Sequence, residues 1–260
     1  MKIVIISGLA PRDRIVVQEI IRNFTNVTLI NLFAESKKVT EINFGNWVNK
    51  KGKKILKKLH NFELSRYFKN NGYEGLDCEK IQFPSKEINT DKGEALIKGL
   101  NPDIIFTSQA PILKEAIIRI PKIAAINNHY GMAPQYRGND TLFWALYHQD
   151  YEYAGGCLHY ISKGVDTGNI LAQVRPKIEK GDGEVAVNFK TTILLAKIAP
   201  QVLDIIQNSQ DLPQGKMQLE NGRNFKSSER TLYTDIKFLL LKAIGFRRVK
   251  AIQEKIEFFI

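Results

Sequence analysis

The opening of the chain commits it to a parallel β-sheet. Lys2–Ser7 is an apolar, β-branched run that reads as a buried strand. Arg12–Asn23 sets Ile15, Val16 and Ile20 at helical spacing, with Phe24 just beyond. Val27–Asn31 then reads as a second strand. A strand–helix–strand unit of this length crosses over right-handedly and lays its strands side by side in parallel. Two further short strands are expected at Asp103–Ser108 and Ile123–Asn127, punctuated by Pro102 and Pro121, with a short helix over Ile112–Ile118 between them. The expected fold class is α/β, a parallel sheet flanked by helices.

Composition narrows the functional classes. With 260 residues, 43% of them apolar and 25% charged, the chain is ordinary for a globular protein and fits one large domain or one domain plus an appendage. No apolar run approaches the ~18 residues of a membrane helix. The N-terminal run is too short and too β-branched for a signal peptide, so a cytoplasmic location is expected. Cys78 and Cys157 offer no disulfide framework, and neither they nor the four histidines have metal-ligand spacing, so no metal is expected. The net charge of +11 is local: residues 37–69 hold ten Lys/Arg against two Glu, and Lys237–Lys250 adds five more with no acid. A solvated helix face and an anionic partner are both open readings of that charge.

The densest chemistry lies in Ile126–Gly138 (Ile-Asn-Asn-His-Tyr-Gly-Met-Ala-Pro-Gln-Tyr-Arg-Gly), read as a loop leaving a strand. Asn127 and His129, two residues apart at a strand's end, point to the same side. One can hydrogen-bond an oxygen and the other can take a proton. Downstream, a helix is expected over Thr141–His148, capped at Asn139-Asp140. Strands follow at Gly155–Ile161 and Asn169–Val174, joined through the Gly164–Gly168 turn that carries Asp166. A long helix spans Ala186–Asn208, and Asp211–Gly215 marks a boundary. Met217–Glu220 and Arg223–Lys226, around Asn221-Gly222, read as a hairpin. A basic amphipathic helix then closes the chain, and another is expected within Trp47–Phe68. The expected division is a catalytic domain over 1–210, with a basic helical insert about 35–92, and a hairpin–helix appendage over 211–260.

An amide, an imidazole and a carboxylate supply what acyl transfer to an amine needs: oxyanion stabilisation, a proton acceptor and an orienting group. No Gly-X-Ser-X-Gly elbow is present, and neither cysteine has a catalytic surrounding, which favours direct attack over a covalent enzyme intermediate.

Asn127-Asn128-His129, Pro134-Gln135-Tyr136-Arg137-Gly138 and Gly156-Cys157-Leu158-His159-Tyr160 with Val165-Asp166-Thr167-Gly168 resemble the signature of the 10-formyltetrahydrofolate-dependent formyltransferases. That family includes glycinamide ribonucleotide, methionyl-tRNA and sugar N-formyltransferases. The resemblance covers residues 100–175 well and the first strand weakly. It implies a Rossmann-like sheet with the site at the strand C-termini. Catalytic roles are implied for Asn127, His129 and Asp166, with Asn127 and a protonated His129 facing the formyl oxygen. It implies 10-formyltetrahydrofolate as co-substrate, held by Ser108, Gln109, Ala110, Ile112, Leu113, Ser162, Lys163 and Val165. Acceptor contacts are expected from Arg12, Arg14, Tyr130, Gly131, Arg137 and His159.

The chain departs from the family at Tyr130-Gly131, after the histidine. The loop Gly8–Arg14 holds one glycine, which argues against the purine branch, and the roughly fifty residues beyond the boundary argue against the tRNA branch. The sugar branch fits best, with a nucleotide-linked amino sugar as the small-molecule partner. Glycinamide ribonucleotide and aminoacyl-tRNA are the alternative acceptors. A non-catalytic nucleic-acid or membrane-surface binder on the same scaffold is the alternative of another class. The hairpin and the apolar end (Ile256, Phe258, Phe259, Ile260) offer a homodimer contact.

Overall fold

The computed structural model describes residues 1–34, 54, 58, 63–64, 67–68, 76–220, 222–243 and 252–260. Its centre is an eight-stranded sheet in the order β10-β8-β7-β5-β4-β1-β2-β3. The strands are β1 (Ile3–Ser7), β2 (Val27–Phe33), β3 (Glu79–Pro84), β4 (Ile104–Ser108), β5 (Ala124–His129), β7 (Gly156–Tyr160), β8 (Ile170–Arg175) and β10 (Lys255–Phe258). β6 (Tyr136–Gly138) and β9 (Arg223–Phe225) form a separate two-stranded sheet.

β1 lies between β2 and β4, parallel to both, and all five of its residues are buried. That position explains the absence of polar alternation in Ile3–Ile6: a central parallel strand is covered on both faces. Ile3 and Ile5 face α1 (Pro11–Asn23), together with Leu29, Ile104, Phe106 and Ile126. Val4 and Ile6 face the opposite layer, where Ile88 and Ile97 pack, the latter from α2 (Asp91–Leu100). Pro11 starts α1 where a missing N–H costs nothing.

The opening strand–helix–strand is as expected, and so is the family's mainly parallel core. Beyond β5 the pattern changes: β5–β7, β7–β8 and β8–β10 are antiparallel. The helix expected over Ile112–Ile118 is a single short turn, α3 (Glu115–Ile118). α4 (Thr141–His148) has the expected bounds, but Asp140 sits left-handed at its start and makes no capping hydrogen bond. α5 (Glu184–Asn208) packs on the same side of the sheet as α1.

Three expectations at the ends of the map are corrected. The expected hairpin is absent: Arg223–Phe225 pairs in parallel with Tyr136–Gly138, and Lys216 bridges to Ile170 instead of leading into a strand. The glycine-containing turn cannot win because the core takes Phe225, which stacks on Tyr136 and Trp144. The closing helix is α6 (Leu232–Ala243), but β10 follows it and completes the sheet edge. Ile256 and Ile260 therefore pack against the main core, and Phe259 against Ala133, Cys157 and Ile170. Finally, part of the stretch expected as an insert is β3, a regular parallel edge strand. Most of the helix expected within Trp47–Phe68 lies outside the described residues. Its described members (54, 58, 63–64, 67–68) are helical, with Phe68 buried and Lys54 and Lys58 exposed. His60 and the basic residues 244–250 also lie outside them.

Candidate active site

Register builds the site. Thr107 of β4, Asn127 of β5 and His159 of β7 are direct cross-strand partners, so their side chains share one face of the sheet. Thr107 Oγ1 lies 2.7 Å from Asn127 Oδ1 and donates to it. The Asn127 amide nitrogen lies 3.1 Å from His159 Nε2 and 3.3 Å from Asp166 Oδ1. The carboxylate fixes the amide's orientation, since an oxygen turned toward it would be repelled.

His129 ends β5 on the same face, buried against the carbonyl of Tyr136. Its Nε2 is 3.0 Å from that carbonyl, which can only accept, so Nε2 carries the hydrogen. Nδ1 lies 3.5 Å from Asp166 Oδ2. Burial pushes the His129 pKa below the ordinary imidazole value; Asp166 opposes this, while His159 and Arg12 add to it. Both ring nitrogens face acceptors, the Tyr136 carbonyl and the Asp166 carboxylate.

Asp166 is held in the left-handed region, φ +49°. Its Oδ2 accepts the Gly138 N–H at 2.8 Å. Burial opposes its ionisation, but His129, His159 and the Gly138 amide outweigh it and hold the carboxyl well below the usual range. His159, expected as an acceptor contact, instead sits within this cluster: Nε2 is 3.3 Å from Asp166 Oδ1, and Nδ1 donates to the Tyr160 carbonyl at 2.7 Å.

Asn128 points to the other face. Its Nδ2 donates to Ser108 Oγ at 2.9 Å, and Ser108 donates to Asp13 Oδ1 at 2.6 Å. Ser108 is therefore fully buried beneath the site and lines neither cavity.

Two cavities meet at Asn127 and Asp166. The smaller, about 90 Å³, is lined mainly by Ala110, Ile112, Leu113, Ile161, Ser162 and Val165. The larger, about 250 Å³, runs past His129 to Arg12, Tyr130, Asp140, Glu184 and Asn188, with Gln109 on its rim. The Arg12 guanidinium lies over the Tyr130 ring, 4.1 Å from its centroid. Several expected contacts fall outside both cavities. Arg14 is buried in α1, and Lys163 is exposed beside the turn. Arg137 donates to the Gly222 carbonyl at 2.7 Å and holds the β6 loop. Gly131 is buried, and a Cβ there would lie 2.5 Å from Thr141 Oγ1 and 2.6 Å from His129 Nε2, so the position is closed to a side chain.

Thr107, Glu184 and Asn188 were not among the expected site residues. Thr107 carries no local signal, because its role depends on strand register. Glu184 and Asn188 share one face of α5 four residues apart, a spacing that only the docked helix makes meaningful.

Comparison with known proteins fits this geometry. The formyl transferase family model matches residues 1–203. The bifunctional polymyxin resistance protein ArnA of Wigglesworthia glossinidia brevipalpis is 36% identical over 126 residues, 46% of this chain and 19% of that protein. Methionyl-tRNA formyltransferase of Staphylococcus aureus (strain JH1) is 30% identical over 149 residues, 56% of this chain and 47% of that one. The matches thus span from a fifth to a half of these curated relatives. A solved sugar N-formyltransferase from Shewanella sp. FDAARGOS_354 superimposes with TM-score 0.59 at 17% identity, over 94% of this chain and 87% of that one. With more than half its length matched, and with Asn127, His129 and Asp166 drawn together at the strand ends, the chain belongs to the formyl transferase family.

Proposed function

We propose that this protein transfers a formyl group from 10-formyltetrahydrofolate to the primary amine of a nucleotide-linked amino sugar. One observation carries the reading: two cavities share a common wall made by Asn127 and Asp166 with Ala110, Ile112 and Val165. A two-substrate transfer needs that layout, with donor and acceptor entering from different sides of one reactive group. The smaller cavity, walled by Ile112, Leu113, Ile161 and Val165, suits the flat pterin ring of the folate. The larger one, with Arg12 over Tyr130 and polar groups along α5, suits a phosphate-bearing, hydroxyl-rich acceptor. The sugar N-formyltransferase neighbour supports the choice of acceptor.

In this reading the neutral amine attacks the formyl carbon, and one Asn127 amide N–H, exchanged from its long resting contact with Asp166 to the substrate, stabilises the oxyanion. His129 Nδ1 takes the proton that the nitrogen gives up as the new C–N bond forms. Asp166 steadies the resulting imidazolium. His129 then returns the proton to the departing folate nitrogen as the old C–N bond breaks, leaving a formamide and tetrahydrofolate. In this reading His129 acts first as a proton acceptor and becomes cationic only as the reaction proceeds.

The test is a panel of UDP- and dTDP-linked amino sugars, with glycinamide ribonucleotide and aminoacyl-tRNA alongside, read as tetrahydrofolate release. Turnover with one amino sugar at least ~10²-fold above the other acceptors is expected. Preference for either of the other two would reassign the acceptor. Release with none would overturn the activity.

A further inference from the structure

Residues 213–218 run along the turn that carries Asp166. Tyr160 donates its hydroxyl to the Pro213 carbonyl at 2.6 Å, and Asn169 donates its side-chain amide to the Gln214 carbonyl at 2.9 Å. Lys216 exchanges two backbone hydrogen bonds with Ile170, at 2.8 and 2.9 Å. Gln218 then turns inward between exposed Met217 and Leu219. Its Nε2 donates to two backbone carbonyls, Asp166 O at 2.9 Å and Gly168 O at 2.6 Å. Both partners are acceptors, so the amide orientation is unambiguous.

The turn needs such a clamp. Asp166 is a non-glycine residue at φ +49°, a conformation kept only where its surroundings enforce it. Gly168 sits so close to Tyr160 that a Cβ would lie 1.9 Å from the Tyr160 carbonyl oxygen, so the turn has no slack on that side. The same C-terminal segment acts a second time: Phe225 of β9 pairs with Gly138 of β6, the residue whose N–H holds the Asp166 carboxylate. The carboxylate is thus held from two sides, by Gln218 through the Asp166 backbone and by Phe225 through its pairing with Gly138.

We infer that Gln218 is a positioning residue for Asp166: its side-chain amide ties down the Asp166–Gly168 carbonyls and sets where the carboxylate meets Asn127 and His129. This rests on the proposed catalytic role of Asp166. A displacement of about 1 Å at a reacting group can cost about 10²-fold in rate, so one clamp in a turn is enough to matter.

The experiment uses the full chain with Gln218→Met, which keeps side-chain length but has no N–H, and Gln218→Asn, which keeps the amide but falls short. The first readout is the Gly138 backbone amide proton by NMR. In the wild type it is expected downfield, because it donates to the carboxylate, and in Asp166→Asn it should move away from that position. Both Gln218 variants are expected to move it in the same direction as Asp166→Asn. The second is a double-mutant cycle on formyl transfer: Gln218→Met is expected to cost between about 10- and 100-fold alone and less than about 2-fold on top of Asp166→Asn. An unmoved Gly138 signal, or a cost that multiplies fully with that of Asp166→Asn, would overturn the inference. A moved Gly138 signal in a protein that transfers no formyl group would instead overturn the proposed activity while leaving the hold of Gln218 on Asp166 intact.

Discussion

Asp166 is where backbone strain, charge and hydrogen bonding converge. Its carboxylate faces Asn127, His129 and His159 within 3.5 Å and accepts the Gly138 N–H. His129→Ala and Asp166→Asn should each lower turnover by at least ~10²-fold, as removal of a single acid–base or orienting group does. Turnover near that of wild type in either variant would remove that residue from the chemistry. The pH dependence follows from the sign of the His129 shift. Burial lowers its pKa, so the base stays available below the ordinary imidazole value, and kcat/KM should fall only as the pH drops past that lowered value. Asp166, with the Tyr136 carbonyl second, raises the His129 pKa against this burial. Its removal in Asp166→Asn should therefore move the acid limb of the residual activity to still lower pH; an upward move would contradict the pairing. At this scale the Asn127–His129 pair was legible in the sequence, because two-residue spacing on a strand defines a shared face. Thr107 and Gln218 were not, because each acts through a partner distant in the chain that only strand register or chain path brings near.

Elements carry the constraints that hold those residues. Gly131 lies where β5 gives way to the Pro134 loop, wedged between Thr141 of α4 and the His129 ring. Gly131→Ala should push that ring or α4 aside. The expected cost is about 1–3 kcal/mol in unfolding free energy, with a larger proportional loss in turnover than in folate binding. Chemical denaturation and turnover of the same preparation check this, and unchanged values in both would show that the contact relaxes freely. Phe225 on β9 is the other lever. It is buried among Tyr136, Trp144 and His148, and Phe225→Ala should cost about 3–5 kcal/mol. The sequence suggested a strand at Arg223–Lys226 but paired it locally, as Asn-Gly turn chemistry invites. The aromatic cluster on α4 overrode that local preference, which is how packing corrects a short-range signal. The βαβ opening needed no such correction because its apolar run, helix and second run agree with one another.

Across the whole molecule, the C-terminal segments are built into the sheet and the site. β10 closes one edge by pairing with β8, and Ile256 and Ile260 reach the main core. Phe258 of β10 stays exposed, and α6 exposes Tyr233, Ile236, Leu239 and Leu240. A chain lacking residues 252–260 should expose the β8 edge and associate, seen as rising light scattering at a temperature the full chain tolerates. A truncated chain that stays monodisperse and unfolds at the same temperature would show that β10 is dispensable. Among the described residues no helix is long and apolar enough to cross a membrane. The parallel half of the sheet was legible from the chain's opening, and so were β7, β8 and the turn that joins them; β10 and the antiparallel pairing of β5 with β7 were not, since those depend on neighbours distant in the chain. The central claim is that Asn127, His129 and Asp166 work between a donor cavity and an acceptor cavity. Crystallographic placement of bound 5-formyltetrahydrofolate tests it most directly. The account predicts the pterin against Ile112, Leu113 and Val165, with the reactive end at the shared wall beside Asn127 and Asp166. A folate lying in the larger cavity against Arg12 and Glu184, or away from both, would contradict it.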